Sequence, residues 1–338
     1  MLAFFYICAG RNLYHHLSVP PGGSKSGMGK RGCAMGNSND YFDSSIYGNI
    51  CRILHCEPAD VEDISPVSEG LNNDSFKFRV NGEYYIYRHP GINASGVIDR
   101  KKEAKALRVA KELGIDETLI FIDEDEGWKI SAFIRTTEPF SFANERHVAM
   151  LAEKLRILHD SKIQVGSKFD YAAEAEKILE ILKDTDPEAY EECLEDRKAM
   201  QPVFDYLAGD RWQVSLCHND IYEPNILVAG DDLHLIDWEF ARDCDIGFDI
   251  CKLFAVLDPP FDAIGKWAAP YFGRVPYKNE ITHLVACAAI IYYYWYVWGI
   301  YAGRNSEGVA EYMDAWCGKM HRFTNMTLAL INELKQVS

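Results

Sequence analysis

Three short apolar runs separated by polar residues constrain the fold of this chain more than any other feature. They lie in a C-terminal half whose other segments have mostly helical spacing, and they cover 214–218, 226–230 and 233–237. Apolar runs of that length, bounded by turn residues, indicate buried strands. Imidazole, carboxylate and amide side chains lie at their ends: His218, Asp220, Asn225 and Asp237. The sequence therefore predicts a small group of strands that brings polar side chains into one volume.

The order of these side chains is typical of phosphoryl transfer. Asp220 has no cationic neighbour in sequence, so its carboxylate can accept a hydroxyl proton. The oxygens of Asn225 and Asp237 are hard ligands that suit magnesium, which keeps water and phosphate oxygens as its other ligands. Taken singly, His218 could be a packed core residue and Asp237 a turn cap. Together, and each beside an apolar strand, the four residues favour a phosphotransferase.

Residues 44–135 have the pattern of a small antiparallel α+β unit. Its elements are a helix over 44–57, a hairpin over 63–91, a helix capped by Asp99 and ended by Gly114, and two strands over 119–134. Asn81-Gly82, between two alternating segments, is a strong signal for a two-residue hairpin turn. This unit is expected to be the first of two lobes.

After Thr136 the pattern becomes mainly helical. Helices are predicted over 145–159, 172–183, 188–208 and most of 247–334. The lobe boundary is placed near 135–137, which gives lobes of 44–135 and 136–338. Residues 1–43 include a stretch rich in Gly, Ser and Pro and are interpreted as a disordered or mis-started leader.

Charge and cysteine usage narrow the class of protein. Lys and Arg number 35 against 51 Asp and Glu, a net charge of −16 without a basic run, which argues against a nucleic-acid partner. The ten cysteines include no CxxC pair and are interpreted as reduced thiols of a cytoplasmic protein.

The stretch 284–303 carries no charged residue and is long enough to span a bilayer. Its many Tyr and Trp residues run through the middle of the stretch, whereas aromatic residues of a membrane span concentrate at the interfaces. We therefore expect a buried core helix and no membrane span, with a membrane-anchored protein as the alternative.

The segment 216–254 resembles the choline/ethanolamine kinase branch of the aminoglycoside-phosphotransferase-like, protein-kinase-related fold, and within it the bacterial choline kinases. CHNDIYEPNIL is similar to the family's HNDxxxxNIL loop, and LIDWEFA followed by GFDI is similar to its IDxE and FD motifs. The resemblance extends over roughly 60–330. It implies a two-lobed α+β fold with a small antiparallel-sheet N-lobe and a large helical C-lobe, with ATP and Mg²⁺ between them.

The resemblance assigns roles to the residues of this segment. Asp220 would be the base that orients the substrate hydroxyl, and His218 would support the loop. Asn225 and Asp237 would hold magnesium. Asp249, in GFDI, would brace the loop from behind.

Two further stretches resemble the family's nucleotide-binding elements. SEGLNND (68–74) is similar to the glycine-containing nucleotide loop, which implies phosphate contacts from Gly70, Asn72 and Asn73; Glu69 replaces the usual first glycine. YIYRHPG and IDRKKEA resemble the strand and helix that carry a paired Arg and Glu, which implies Arg88 and Glu103.

The position of the hinge between the lobes implies an adenine contact from Phe133 and Ile134. Simple core packing is the other explanation for these two apolar side chains at a strand end.

A quaternary ammonium has no N–H donor and is recognised by aromatic faces. YYYWYVWGIY resembles the family's Trp-x-x-Trp helix, which implies a choline pocket with Trp295, Trp298 and Phe240. Val256 stands where the family tends to carry an acid, and Asp258 is the nearest substitute. Asp243 and Asp245 are further sources of negative charge.

The sequence thus predicts an ATP- and magnesium-dependent kinase that phosphorylates the hydroxyl of a small cationic alcohol, choline first. Ethanolamine, thiamine, another amino-alcohol or an aminoglycoside remain open as acceptors. A non-catalytic ATP-binding module is the alternative from a different class. The oligomeric state is left open.

Overall fold

The computed structural model describes residues 44–67, 73–90, 99–303 and 309–337. The predicted leader, 1–43, lies outside the described residues. The first part of the described chain forms an antiparallel sheet with two helices, and the second part is mostly helical.

The N-terminal part contains every element predicted for it and one additional strand. Its elements are α1 (Ser44–Leu54), β1 (Glu62–Pro66), β2 (Asn73–Val80), β3 (Glu83–Pro90), α2 (Arg100–Glu112), β4 (Leu119–Ile122) and β5 (Lys129–Ala132). The five strands form one antiparallel sheet in the order β1-β2-β3-β5-β4. β1 is the additional strand.

Side chains of the β2–β3 hairpin lie on both faces of the sheet. Asn81 and Gly82 both have positive φ, 53° and 85°, which is the backbone of a type I′ turn. Phe78 pairs with Tyr85 across the ladder, and their rings stack on the face that α1 covers. Because side chains alternate along a strand, Lys77 lies on the opposite face.

Helix α2 connects this sheet to the rest of the molecule. The Asp99 side chain accepts a hydrogen bond from Lys102 N, as predicted for its N-cap. Ala104 and Leu107 belong to the large apolar core that the C-terminal helices also form. The same helix places Glu103 where none of its surface is exposed.

The C-terminal part consists of helices around two small sheets. Its strands are β6 (Glu138–Pro139), β7 (Val214–Cys217), β8 (Ile226–Ala229), β9 (Asp232–Leu235) and β10 (Arg242–Asp245). Its helices are α3 (Glu145–Asp160), α4 (Tyr171–Thr185), α5 (Pro187–Gly209), α6 (Gly247–Ile250), α7 (Lys252–Ala255), α8 (Ile264–Phe272), α9 (Lys278–Tyr301) and α10 (Ala310–Val337). The predicted helices are confirmed, whereas β6 has only two residues and the charged β10 shows no apolar run, so neither strand was predicted.

Helix α9 is the central helix of this part. Among the described residues it is the single helix long and apolar enough to cross a membrane, but 89% of its most apolar window is buried inside the protein. It packs against α4, α5, α6 and α10. The expectation of a buried core helix is therefore confirmed. The eight cysteines within the described ranges are free thiols.

Candidate active site

Two small antiparallel sheets position the polar residues that the sequence singles out. Strand β7 pairs with β10, and β8 pairs with β9. The loop 218–225 leaves β7 and enters β8, so it lies where the two sheets meet. Ile236 N donates to Asn225 O at 2.9 Å, which places Asn225 and Asp237 at the same end of the β8–β9 hairpin.

Asp220 is buried and held by Asn225. The amide nitrogen Nδ2 of Asn225 donates to Asp220 Oδ2 at 2.8 Å and to Asp220 O at 3.0 Å. With Nδ2 used in this way, Oδ1 is the Asn225 atom that can ligate a cation. Burial, and next the charge of Asp237, raise the pKa of Asp220 to about 8. A carboxylate of raised pKa is a stronger proton acceptor once it is ionised.

His218 orients the backbone of the loop. Its Nε2 donates to Ile236 O at 2.9 Å, and its Nδ1 accepts from Asp220 N at 3.2 Å. One nitrogen therefore carries the proton and the other does not, so the ring is neutral. Burial lowers the pKa of His218, which favours the same form. The side chain is a positioning group.

Asp249 braces the loop as the resemblance implies. Its two carboxylate oxygens accept from His218 N at 2.8 Å and from Asn219 N at 2.9 Å. Asn219 has φ of 64°, a conformation that most residues avoid and that surrounding contacts must hold. The Asp249 carboxylate supplies those contacts.

Sequence reasoning missed two residues that support the loop. His159 Nε2 lies 3.2 Å from Asp249 Oδ2. Burial alone would raise the pKa of Asp249, but the hydrogen bond and charge of His159 hold it below its usual range. Tyr171 OH donates to Asn219 O at 3.2 Å. The one available signal was the place of His159 on the apolar face of α3, four residues after Leu155.

Arg88 joins the two parts of the molecule. The guanidinium is 5% exposed and forms an ion pair with Glu103. Its Nη1 lies 3.2 Å from Asp237 Oδ1 and 3.5 Å from Glu239 Oε2. Burial alone would lower the pKa of Arg88, but these three carboxylates raise it. The sequence predicted the Arg88–Glu103 pair, whereas the contact with Glu239 was not predicted.

Glu103 lies among several cations. Besides Arg88, its carboxylate contacts Arg100 Nη1 at 3.0 Å and Lys129 Nζ at 4.0 Å. Burial alone would raise the pKa of Glu103, but the charges of Arg88, Lys129 and Arg100 lower it to about 2. Glu103 is therefore ionised at neutral pH.

Asn225 and Asp237 form a donor set that suits magnesium. Asn225 can offer an amide oxygen, and the half-buried Asp237 carboxylate can offer the oxygen that does not face Arg88. Both are hard oxygen ligands. Asp237 has φ of 66°, an uncommon conformation for a residue with a side chain.

Only some of the residues predicted to bind the nucleotide lie within the described ranges. Gly70 and Asn72 lie outside the described residues. Asn73 is the first residue of β2, and only its backbone is described. Phe133 and Ile134 directly follow β5, and Phe133 N donates to Tyr84 O at 3.0 Å. Phe133 is 37% exposed, and the Lys77 ammonium lies 4.2 Å from its ring centroid.

The aromatic residues predicted for the acceptor pocket lie inside the molecule. Trp295 and Trp298 of α9 are buried, and their ring centroids lie 5.8 and 6.5 Å from that of Trp316 on α10. Phe240 is buried and its carbonyl accepts from Asn219 Nδ2 at 3.2 Å. Phe240 therefore lies directly beside the loop of Asp220.

The acidic residues considered for the cation are already engaged. Asp258 Oδ2 lies 2.7 Å from Arg322 Nη1. Asp243 accepts hydrogen bonds from three backbone N–H groups at 165–167. Asp245 accepts from Gly247 N and lies 3.2 Å from His283 Nε2. Each of these carboxylates thus has a structural partner.

Comparison with known proteins gives one family. The family model described as choline/ethanolamine kinase matches residues 64–259. Protein LicA of Haemophilus influenzae is 23% identical over 259 residues, covering 72% of this chain and 74% of that protein.

Solved structures show the same fold. The choline kinase LicA from Streptococcus pneumoniae superposes with a TM-score of 0.66 at 19% identity, covering 84% of this chain and 98% of that one. A structure of LicA in complex with AMP superposes with a TM-score of 0.64 at 20% identity, covering 85% of this chain and 98% of that one.

Proposed function

This chain belongs to the choline/ethanolamine kinase family, and from that we propose that it transfers the γ-phosphate of ATP to the hydroxyl of choline. It is a phosphotransferase that acts on an alcohol. The proposal specifies ATP as the phosphate donor, magnesium as the metal and choline as the acceptor.

The observation that carries the proposal is the arrangement around Asp220. A buried carboxylate is fixed by Asn225, which can offer an oxygen to a metal. Asp237 lies at the same end of the hairpin and contacts Arg88 from the opposite part of the molecule. A proton acceptor, a metal donor set and a phosphate-binding cation thus share one site.

Asp220 acts on the acceptor alcohol in this proposal. Its carboxylate accepts the hydroxyl proton as the oxygen forms its bond to the γ-phosphorus, while the bond from that phosphorus to the bridging oxygen of ADP breaks. Asn225 and Asp237 would hold magnesium, which would supply neutralisation of the phosphate charge. Asp249 and His218 fix the loop, so that Asp220 needs little reorganisation.

Arg88 binds the donor phosphates in this proposal. It is held by Glu103 on one side and contacts Asp237 on the other. A guanidinium offers several donors in a fixed plane and suits phosphate oxygens. The AMP-bound LicA structure supports a nucleotide donor for this fold.

Choline is favoured as acceptor by an aromatic residue at the loop and by an aromatic cluster between α9 and α10. Phe240 borders the loop, and Trp295 and Trp298 lie in an aromatic cluster with Trp316. Asp258 is offset by Arg322. Aromatic faces, combined with an acid that Arg322 already pairs, favour a quaternary ammonium over a primary ammonium, which needs hydrogen-bond acceptors.

The test is phosphate transfer by the purified full chain with ATP and magnesium to choline, ethanolamine, thiamine, homoserine and kanamycin. We expect choline to give the highest kcat/KM. Asp220→Asn should lower kcat by about 10³-fold or more, since it removes the proton acceptor. The control is Asp231→Asn, at a fully exposed carboxylate, which should leave kcat unchanged.

Turnover by Asp220→Asn within a few-fold of wild type would contradict the role of Asp220. Transfer to another alcohol alone would contradict choline as the acceptor. Nucleotide binding without transfer to any acceptor would favour the non-catalytic binding module.

A further inference from the structure

Lys77 of β2 lies between two aromatic rings beside the hinge. Its ammonium nitrogen is 4.3 Å from the ring centroid of Tyr84 and 4.2 Å from that of Phe133. The two rings meet edge-on, with centroids 6.2 Å apart. We call Lys77, Tyr84 and Phe133 the lysine box.

The ammonium of Lys77 has no hydrogen bond or ion pair with any residue in the described ranges. Its neighbour on the same strand face, Arg79, pairs with Glu62 at 2.8 Å and Asp63 at 2.9 Å. Lys77 instead lies half-buried against ring faces. Its N–H donors are therefore free to bind an incoming acceptor.

The lysine box shares a sheet face with Arg88. Tyr84, Ile86 and Arg88 alternate onto one face of β3, and Lys77 pairs with Ile86. Arg88 follows Tyr84 by four positions along the strand, a distance of about 13 Å. That distance is comparable with the length of a nucleoside triphosphate. If the phosphates lie at Arg88, the base reaches the lysine box.

We infer that the lysine box is the base-recognition end of the nucleotide site, and that Lys77 makes guanine nucleotides effective phosphate donors beside adenine nucleotides. The inference rests on the proposed function, because it places the donor phosphates at Arg88. The rings of Tyr84 and Phe133 hold the Lys77 ammonium beside the hinge, and Lys77 supplies hydrogen bonds to the base edge.

The preference follows from the hydrogen-bonding groups of the two purines. A lysine ammonium is a donor only. Guanine presents two neighbouring acceptors, N7 and O6, whereas adenine presents the N7 acceptor beside an amino donor. Lys77 therefore stabilises bound guanine more than bound adenine.

Two measurements on the full chain test the inference. ADP and GDP compete against a fluorescent N-methylanthraniloyl-ADP, and choline phosphorylation is followed with ATP or GTP. We expect kcat/KM for GTP to be within about tenfold of that for ATP in the wild type. Lys77→Met should lower the GTP value about tenfold or more and the ATP value less than about threefold.

Lys77→Arg, which keeps the cation, should retain the GTP activity that Lys77→Met loses. Lys101→Met is the matched control, because Lys101 lies on α2 with a 70% exposed side chain, and it should change neither donor. A thermal melt of each variant confirms that Lys77→Met is folded.

An unchanged ratio of ATP to GTP activity in Lys77→Met would overturn the inference and leave the proposed function standing. So would a wild-type enzyme that binds and uses ATP but neither binds nor uses GTP. If neither ADP nor GDP displaces the probe, the proposed nucleotide donor fails, and the inference fails with it.

Discussion

Each charged group of the site is held by a partner within the protein. Arg88 of β3 meets Glu103 of α2 and Asp237 beyond β9. Asp220 meets Asn225, and Asp249 meets the backbone of the loop. Burying such groups is unfavourable unless they are paired, so loss of one partner costs more than the pair contributes.

Replacing Glu103 by Gln should make stability depend on pH in a defined way. The folded-state pKa of Glu103 is about 2 and its ordinary value is 4.5. Its ionised form therefore stabilises the protein above about pH 4.5, and the contribution is lost as pH falls toward 2. We expect the free energy of unfolding of the wild type to be about 3 kcal/mol higher than that of Glu103→Gln at pH 7.

That difference in the free energy of unfolding should shrink by about 1.4 kcal/mol between pH 7 and pH 3.5. Urea denaturation at each pH measures it. Glu62→Gln is the control, because Glu62 is exposed and pairs with Arg79 at the surface; surface pairs contribute little. A pH-independent difference between wild type and Glu103→Gln would contradict the assigned charge.

Helix α6 packs against the central helix α9 at a glycine, Gly247. A Cβ added at Gly247 would lie 2.8 Å from His283 Cδ2 and 2.9 Å from Cys287 Sγ. His283 is fully buried, and its ring stacks on Trp212 at 4.0 Å. The ring has no room to move, so α6 can approach α9 only with glycine at this position.

Gly247→Ala should lower the free energy of unfolding by about 1–3 kcal/mol, the cost of overpacking a filled core. It should also lower kcat, because α6 carries Asp249, which holds the loop of Asp220. Urea denaturation and choline phosphorylation measure the two effects.

Gly265→Ala is the matched control. Gly265 is also a helical glycine, but its added Cβ would lie 3.5 Å from Val275 Cγ1, an ordinary contact. Alanine also favours the helix by roughly 0.5–1 kcal/mol over glycine, so stability should stay level or rise. Equal effects at Gly247 and Gly265 would contradict the close-packing argument.

At the scale of the whole molecule, one apolar core holds the two parts together. It includes α2 side chains together with those of α3, α4, α5 and α9. Helix α9 lies at its centre and would have to lose its packing against α4, α5 and α10 to enter a bilayer. Burial in this core already removes the apolar surface of α9 from water.

We therefore expect the full chain to stay at the bottom of a density gradient when it is mixed with phospholipid vesicles and floated. The reason is that 89% of the apolar window of α9 is already buried. A parallel gradient without vesicles separates lipid binding from aggregation. Protein that floats with the vesicles and resists carbonate extraction would contradict a core role for α9.

A single sequence was enough to predict the local structure and the polar side chains that gather in the loop 218–225. Asn81-Gly82 forms the predicted turn, and Asp99 caps the predicted helix. His218, Asp220 and Asn225 fall in one loop between the predicted strands. These features depend on backbone preferences and spacings within a few residues, which a single sequence carries.

Which distant side chains meet depends on the tertiary structure. Arg88 and Asp237 are 149 positions apart, and no local pattern shows that His159 supports Asp249 or that Lys77 lies against Phe133. The same holds for Asp258, whose charge Arg322 offsets. Such contacts depend on how α2, α3 and α10 pack, and packing responds to shape and volume across the whole chain rather than to spacing along it.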